Sequence, residues 1–315
     1  MAGTVLDFIH EQPAMLRRLN DRVLAPEPAA RRVVLVGSGT SYHASRIAAP
    51  AFGNAVAGER APTGERAPAF GSVLATIPSE APGLTADDLV IGVSQSGTST
   101  GTLAVLRQAR SAGARTVLVT AEPAPPFTPD RLVDIDCGPE PVGAKTKGFT
   151  ATVHALRRLA GDARPVTAIT GELIASAVEA ARTVRPPTAV HIVTWGDWHP
   201  LADEGGLKIL EMSLLPTEVW NVEEFLHGPH RRLCATSLLV IVGGDEPPRR
   251  HADALASFVH AIGAQALAVR EKQEKGDVLG TVIDLQVLGV TLAEQRGISP
   301  EADPFPGFHS RLGSK

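Results

Sequence analysis

Short apolar runs that end in turns of small and hydroxyl residues, each followed by a helical pattern, constrain this chain more than any other feature. The sharpest instance is Leu89 to Val93. It runs through Gly92-Val93-Ser94-Gln95-Ser96-Gly97-Thr98-Ser99-Thr100 into the helix-like segment Leu103 to Arg110. An aliphatic run of this length suits a parallel strand covered on both faces. The turn meets a helix N-terminus, whose unpaired N–H groups and positive dipole end attract an anion, and the Ser and Thr hydroxyls add donors. A Ser-rich N-cap with no ligand has the same local signature.

A second unit of this kind precedes it. Arg31-Arg32 lead into Val33-Val34-Leu35-Val36, then Gly37-Ser38-Gly39-Thr40-Ser41-Tyr42, then an Ala-rich helical stretch from His43 to Phe52. Gly37-x-Gly39 after a strand raises the nucleotide reading. Tyr42 stands where the third glycine of G-x-G-x-x-G belongs, and no strand with a ribose-binding acid follows, so dinucleotide binding is not expected. Upstream, Val5, Leu6, Phe8, Ile9, Met15, Leu16 and Leu19 are spaced as on helices, with Pro13 separating two of them or opening the second. Residues 57–72 read as a mobile loop, Val73 to Ile77 and Arg115 to Thr120 as strands, Leu132 to Cys137 as the last strand of this half, and Phe149 to Leu159 as a helix.

The rest repeats the scheme. Helix Ile169 to Thr183, strand Val190 to Thr194, helix Leu201 to Leu215 and strand Ser237 to Val242 come first. Helix His251 to Ile262, strands Ala266 to Arg270 and Val282 to Leu285, and helix Leu288 to Arg296 follow. The expectation is two α/β subdomains, each a three-layer αβα sandwich on a mainly parallel, flavodoxin-like sheet, related by duplication. The domain reading is 1–28 helical, 29–160 first subdomain, 161–300 second subdomain and 301–315 a tail. Ligands of such sheets lie beyond the carboxyl ends of the strands, where both serine-rich turns fall.

Composition excludes some classes. A net charge of −4 offers no basic face for nucleic acid. Cys137 and Cys234 lack metal-ligand spacing and read as buried small apolar residues of a cytoplasmic protein. Residues 1–10 do not read as a signal peptide, and no apolar run is long enough to span a bilayer.

Glu204, Lys208 and Glu211, at i, i+4 and i+7, share one face of a helix otherwise rich in Leu207, Ile209, Leu210, Met212 and Leu214. Such a stripe is commonly a solvated salt-bridge face. On a buried helix it holds two carboxylates and an amine in low dielectric, where a glutamate becomes a usable general base. Gly205-Gly206 inside the helix costs about 1 kcal/mol per glycine relative to alanine, which points to a backbone or ligand approaching closely. His227, in Glu223-Glu224-Phe225-Leu226-His227-Gly228-Pro229-His230, is presented by a Gly-Pro turn and is of the residue type suited to proton transfer near neutral pH.

These segments together resemble the sugar isomerase (SIS) domain family, and most closely the isomerase half of glucosamine-6-phosphate synthase. Gly39-Thr40-Ser41-Tyr42-His43-Ala44 resembles its first phosphate-side turn, and Ser94-Gln95-Ser96-Gly97-Thr98-Ser99 its S-Q-S-G-x-T loop. Gly138-Pro139-Glu140 through Lys145-Thr146-Lys147-Gly148-Phe149-Thr150 is similar to the segment closing its first subdomain. Glu204-Gly205-Gly206-Leu207-Lys208 with Glu211, then His227-Gly228-Pro229, follow its E-G-x-L-K-x-x-E and H-G-P motifs in order. The likeness covers residues 10–300.

The resemblance implies a homodimer whose active site takes residues from both subunits, a phosphorylated amino sugar as ligand, and neither metal nor cofactor. Thr40, Ser41, Ser94, Gln95, Ser96 and Ser99 would hold the phosphate. Glu211 would move a proton between C1 and C2, His227 of the partner subunit would help open the ring, and Lys208 and Glu204 would position hydroxyls and tune Glu211. Three departures accompany it. The chain starts Met1-Ala2-Gly3 and enters the similar region almost at once, so glutamine-derived ammonia is not expected. Thr98 stands where the synthase has an acid, with Ser99 for its threonine. The equivalent of its C-terminal catalytic lysine is unassigned within Asp303 to Lys315. The expected activity is that of a deaminase or deglycase releasing nitrogen from a 6-phosphorylated amino sugar or fructosamine. The alternatives are a sugar-phosphate sensor, or a plain aldose–ketose isomerase.

Overall fold

The computed structural model describes residues 3–54, 70–269 and 279–315. Most of the loop expected at 57–72 lies outside the described residues, as does Arg270 at the end of an expected strand. The chain divides into two compact units. One comprises Met1–Pro13, Pro141–Thr146 and Val166–Ala302, the other Ala14–Glu140, Lys147–Pro165 and Asp303–Lys315. Helix α1 (Val5–Asp21) is single and contains Pro13, where two helices were expected. Burial of Val5, Phe8, Ile9, Met15, Leu16 and Leu19 along one stripe offsets the hydrogen bond that the proline removes.

The elements that follow α1 alternate in type. They are β1 (Ala30–Val36), α2 (Thr40–Asn54), β2 (Phe70–Thr76), β3 (Asp88–Val93), α3 (Thr100–Ser111), β4 (Arg115–Thr120), β5 (Arg131–Asp134) and α4 (Lys147–Leu159). The five strands pair in parallel in the order β2-β1-β3-β4-β5, the flavodoxin-like order whose switch point lies between β1 and β3. Every residue of β3 is buried. Helix α3 lies on this strand so closely that a Cβ on Gly92 would come 2.6 Å from Leu106 Cδ1. Val34, Val36, Val90, Leu103, Leu106, Leu118 and Phe127 fill the space between sheet and helix. That packing fixes the direction in which the Ser94–Ser99 turn leaves the sheet.

On α4, His154 is 5% exposed, and among the described residues its Nε2 has no hydrogen-bond partner. Burial, aided by the charges of Arg158, Arg157 and Arg22, lowers its pKa from 6.5 to about 4. The folded protein therefore keeps the ring neutral while the unfolded chain takes up the proton first. Stability present above pH 6.5 is lost as the pH falls towards 4, by about 3 kcal/mol in all. Urea titrations at pH 7.5 and 4.5 are expected to show this loss, and His154→Leu is expected to flatten it. An unchanged slope in the variant would exclude His154 as its source.

The second sheet is built from α5 (Gly171–Arg182), β6 (Ala189–Thr194), α6 (His199–Ser213), β7 (Thr217–Asn221), α7 (Val222–Phe225), β8 (Ser237–Val242), α8 (Arg249–Ala261), β9 (Gln265–Val269) and α9 (Leu279–Gln295). Its four strands are parallel in the order β7-β6-β8-β9, which is the first sheet's order without the fifth strand. Two parallel sheets flanked by helices are the architecture expected from the sequence. The remaining helix, α10 (Phe308–Arg311), belongs to the unit of the first sheet.

Two assignments differ from expectation. Val282 to Leu285 is the interior of α9, not a strand. Residues 279–293 are buried throughout, and a mostly apolar helix buried on all sides has no clear periodicity to separate it from a strand. Strand β7 was not anticipated. It is a half-buried edge strand, joined to β6 from Val190↔Thr217 to Thr194↔Asn221. Among the described residues no helix is long and apolar enough to cross a membrane.

Candidate functional site

In the first unit, β1 and β3 are neighbours up to the pair Val36↔Gly92, so the turns that leave them start side by side. They touch: a Cβ on Gly37 would lie 2.8 Å from Ser41 Cβ and 3.1 Å from the Val93 carbonyl oxygen. Gly39 takes φ +54° to start α2 at Thr40, which puts Thr40 and Ser41 in its first turn. In the second turn the Ser94 hydroxyl donates to Ser99 Oγ at 2.9 Å, and the hydroxyls of Ser96 and Thr98 pair at 3.0 Å. Gly97, at φ +66°, closes it by donating to the Ser94 carbonyl at 2.9 Å. A side chain at position 97 would also meet Glu122 Cβ at 2.8 Å.

Ser99 occupies the N-cap of α3, yet its side chain caps nothing. The amide of Thr100, the first helical residue, donates instead to the Ser314 carbonyl at 3.2 Å. A helix N-terminus flanked by Thr40, Ser41, Ser94, Ser96 and Ser99 offers hydroxyl and amide donors to a small anion. The Gln95 carboxamide turns away, donating to Glu140 Oε2 at 3.3 Å. That link spans 45 residues, and no local pattern in the sequence announces it.

The corresponding end of the second sheet is closed. Trp195, which follows β6, lies against Gly243, where a Cβ would be 2.3 Å from Trp195 Cζ2. The indole N–H groups of Trp195 and Trp198 donate to Glu246 at 2.8 and 3.4 Å. Indole rings and a carboxylate stand where the first unit has hydroxyls.

Helix α6 carries the charged constellation of that second unit. Glu204 and Lys208 are 0% exposed, and the Glu211 side chain is 32% exposed. Lys208 Nζ lies 2.5 Å from Glu211 Oε2 and 3.5 Å from Glu204 Oε1, so one buried ammonium bridges two carboxylates. The stripe is therefore not a solvated face. Gly205 and Gly206 make room for side chains, neither for backbone nor for ligand: a Cβ would lie 2.1 Å from Leu285 Cδ1 at 205 and 2.6 Å from Val219 Cγ2 at 206. Closeness to α9 and β7 buries Glu204 and Lys208 and leaves Glu211 partly open.

His227 follows α7 and is exposed; among the described residues its ring has no hydrogen-bond partner. Of the two cysteines only Cys137 is buried. Cys234 is exposed, a correction to the sequence reading, because it lies in the turn before β8. Hydrogen bonds from Ser237 and Thr236 lower its thiol pKa to about 7. Among the described residues no group of three or more His, Cys, Asp or Glu is placed to hold a metal ion.

The doubly wound sheet with hydroxyl-rich turns at its switch point defines the class, an open α/β domain of the flavodoxin-like order. Residues 29–160 match the family model of the SIS domain. The glutamine–fructose-6-phosphate aminotransferase (isomerizing) of Streptomyces coelicolor is 26% identical, the match covering 94% of this chain and 52% of that protein. The chain thus spans about half the length of the curated relatives it matches. Among solved structures, a glucosamine-6-phosphate deaminase from Thermotoga maritima is similar with a TM-score of 0.76 and 18% identity, over 96% of this chain and 98% of that one. The C-terminal domain of glucosamine-fructose-6-phosphate aminotransferase from Francisella tularensis gives a TM-score of 0.74 at 18% identity, over 95% and 98%. At this identity the structural likeness is one of fold.

Proposed function

We propose that the protein is an SIS-type sugar-phosphate isomerase and deaminase, acting on a 6-phosphorylated amino sugar or on fructosamine 6-phosphate. The observation that carries this reading is the Glu204–Lys208–Glu211 constellation on α6. A carboxylate and an ammonium, Glu204 and Lys208, are costly to bury in apolar surroundings, and packing alone gives no reason for them. The names of the relatives, an aminotransferase that isomerises and a deaminase, support the same chemistry.

In this reading the first subdomain, 29–160, anchors the phosphate through Thr40, Ser41, Ser94, Gln95, Ser96 and Ser99. The second, 161–300, converts the sugar. Glu211, the one member of the triad open to solvent, takes the proton from one of C1 and C2 of the opened sugar and returns it to the other. Lys208 and Glu204 hold it in place. The amino-bearing carbon becomes an imine and water adds to it. From a 2-amino sugar ammonia leaves and a ketose phosphate remains; from a fructosamine, whose nitrogen is on C1, the amine leaves and an aldose phosphate remains. His227, supplied by the partner of a homodimer, assists ring opening, which requires proton transfer at the ring oxygen. Its exposure in one chain is compatible with that role.

The test is release of ammonia or amine from a panel of 6-phosphorylated amino sugars and fructosamines, with turnover expected for at least one. Ser96→Ala is expected to raise KM about tenfold, the worth of one hydrogen bond to a charged group, and to leave kcat nearly unchanged. Absence of turnover across the panel would overturn the enzymatic assignment. Tight phosphosugar binding by calorimetry, with an unaltered sugar by NMR, would then identify a binding protein.

A further inference from the structure

We propose that Glu140 and Gly148 are positioning residues for the phosphate seat, holding the Gln95 side chain and through it the shape of the Ser94–Ser99 turn. The inference rests on the reading of that turn as a phosphate seat. Glu140 is 6% exposed. The first amides of α4 have no partner within the helix, and two of them take this carboxylate. The Lys147 N–H donates to Oε1 at 3.2 Å and the Gly148 N–H to Oε2 at 3.0 Å. The positive end of the helix dipole favours a negative charge there.

The same Oε2 accepts a hydrogen from Gln95 Nε2 at 3.3 Å. Facing a carboxylate, the carboxamide has one favourable orientation, nitrogen inward, since its oxygen would be repelled. Nε2 also lies 3.9 Å from Cys137 Sγ, so both of its hydrogens point into the protein. Gly148 completes the fit: a Cβ there would lie 2.1 Å from Gln95 Nε2, 2.5 Å from Cδ and 2.6 Å from Oε1. Any side chain at 148 evicts the carboxamide. The Gln95 backbone is tied as well, its carbonyl accepting from the Ala121 N–H at 3.0 Å and from Thr120 Oγ1 at 3.2 Å. Gln95 therefore serves the seat through its backbone, between Ser94 and Ser96, while its side chain braces the turn against α4.

Charge and bracing act in opposite directions, which makes the proposal decidable. A carboxylate near an anion seat repels the anion, so Glu140→Gln would tighten phosphate binding if charge alone mattered. A brace predicts the reverse. Binding of inorganic phosphate, measured by calorimetry, is expected to weaken about tenfold in Glu140→Gln, one hydrogen bond's worth. Gly148→Ala changes no charge and is expected to shift binding in the same direction, and it carries the test if Glu140→Gln fails to fold. With substrate, KM is expected to rise while kcat stays within about twofold, a split that general loss of structure does not produce. Equal or tighter phosphate binding in both variants, beside normal wild-type binding, would overturn the bracing role alone. Wild-type protein that binds no phosphate would overturn the seat and the brace together.

Discussion

Glu211→Gln is expected to lower kcat by about a hundredfold to ten-thousandfold, the range associated with a positioned proton-transfer group. Glutamine keeps the shape of glutamate and can still accept a hydrogen bond from Lys208, which now lies 2.5 Å from Glu211 Oε2. What is lost is the capacity to take a proton. The affinity for inorganic phosphate should stay near that of the wild type, because the hydroxyl-rich turns are untouched, and the melting temperature should move little because the Glu211 side chain is already 32% exposed. Steady-state kinetics on the best substrate of the panel, with phosphate titration of the same preparations, check both halves. Activity within about fivefold of wild type would remove Glu211 from the role of base.

Lys208→Met addresses the same helix through stability. Methionine fills much the same volume, but the Glu204 carboxylate, at 0% exposure, loses the ammonium 3.5 Å away. Breaking a buried pair from one side costs about 3–5 kcal/mol, because the attraction that offset the carboxylate's desolvation is removed. Urea denaturation at pH 7 should show a loss of this size. Glu204→Gln combined with Lys208→Met should recover much of it, since removing both charges also removes the penalty. A single variant within about 1 kcal/mol of wild type would mean that water reaches the pair.

Much of the candidate site was legible in the sequence because its motifs are local. The stripe of Glu204, Lys208 and Glu211 needs only the helical period, and the turn at Ser94 to Ser99 needs only a strand before it and a helix after it. The features that were not legible depend on residues far apart in the chain. Whether the stripe is solvated or buried is decided by Leu285 of α9 and Val219 of β7 closing on Gly205 and Gly206. The glycines hinted at a close approach, but no pattern around them names the partner. Likewise Gln95 is a candidate phosphate ligand by its place in the motif, and only the fold brings Glu140 to its side chain.

The same division holds for the fold. Alternation of short apolar runs with helical segments determined a parallel α/β architecture in two repeats, because a strand buried on both faces and a helix with one apolar face leave distinct local signatures. Helix α9 and strand β7 lack such signatures, one being buried on every side and the other a half-buried edge. Their identities come from what packs around them: α9 from its burial through residue 293, β7 from the ladder that it shares with β6. The sequence by itself thus determined which segments are candidates for the chemistry and how each is built locally. Tertiary structure alone decided which charges are buried and which side chains brace the turn, because desolvation and long-range contact are properties of the packed chain.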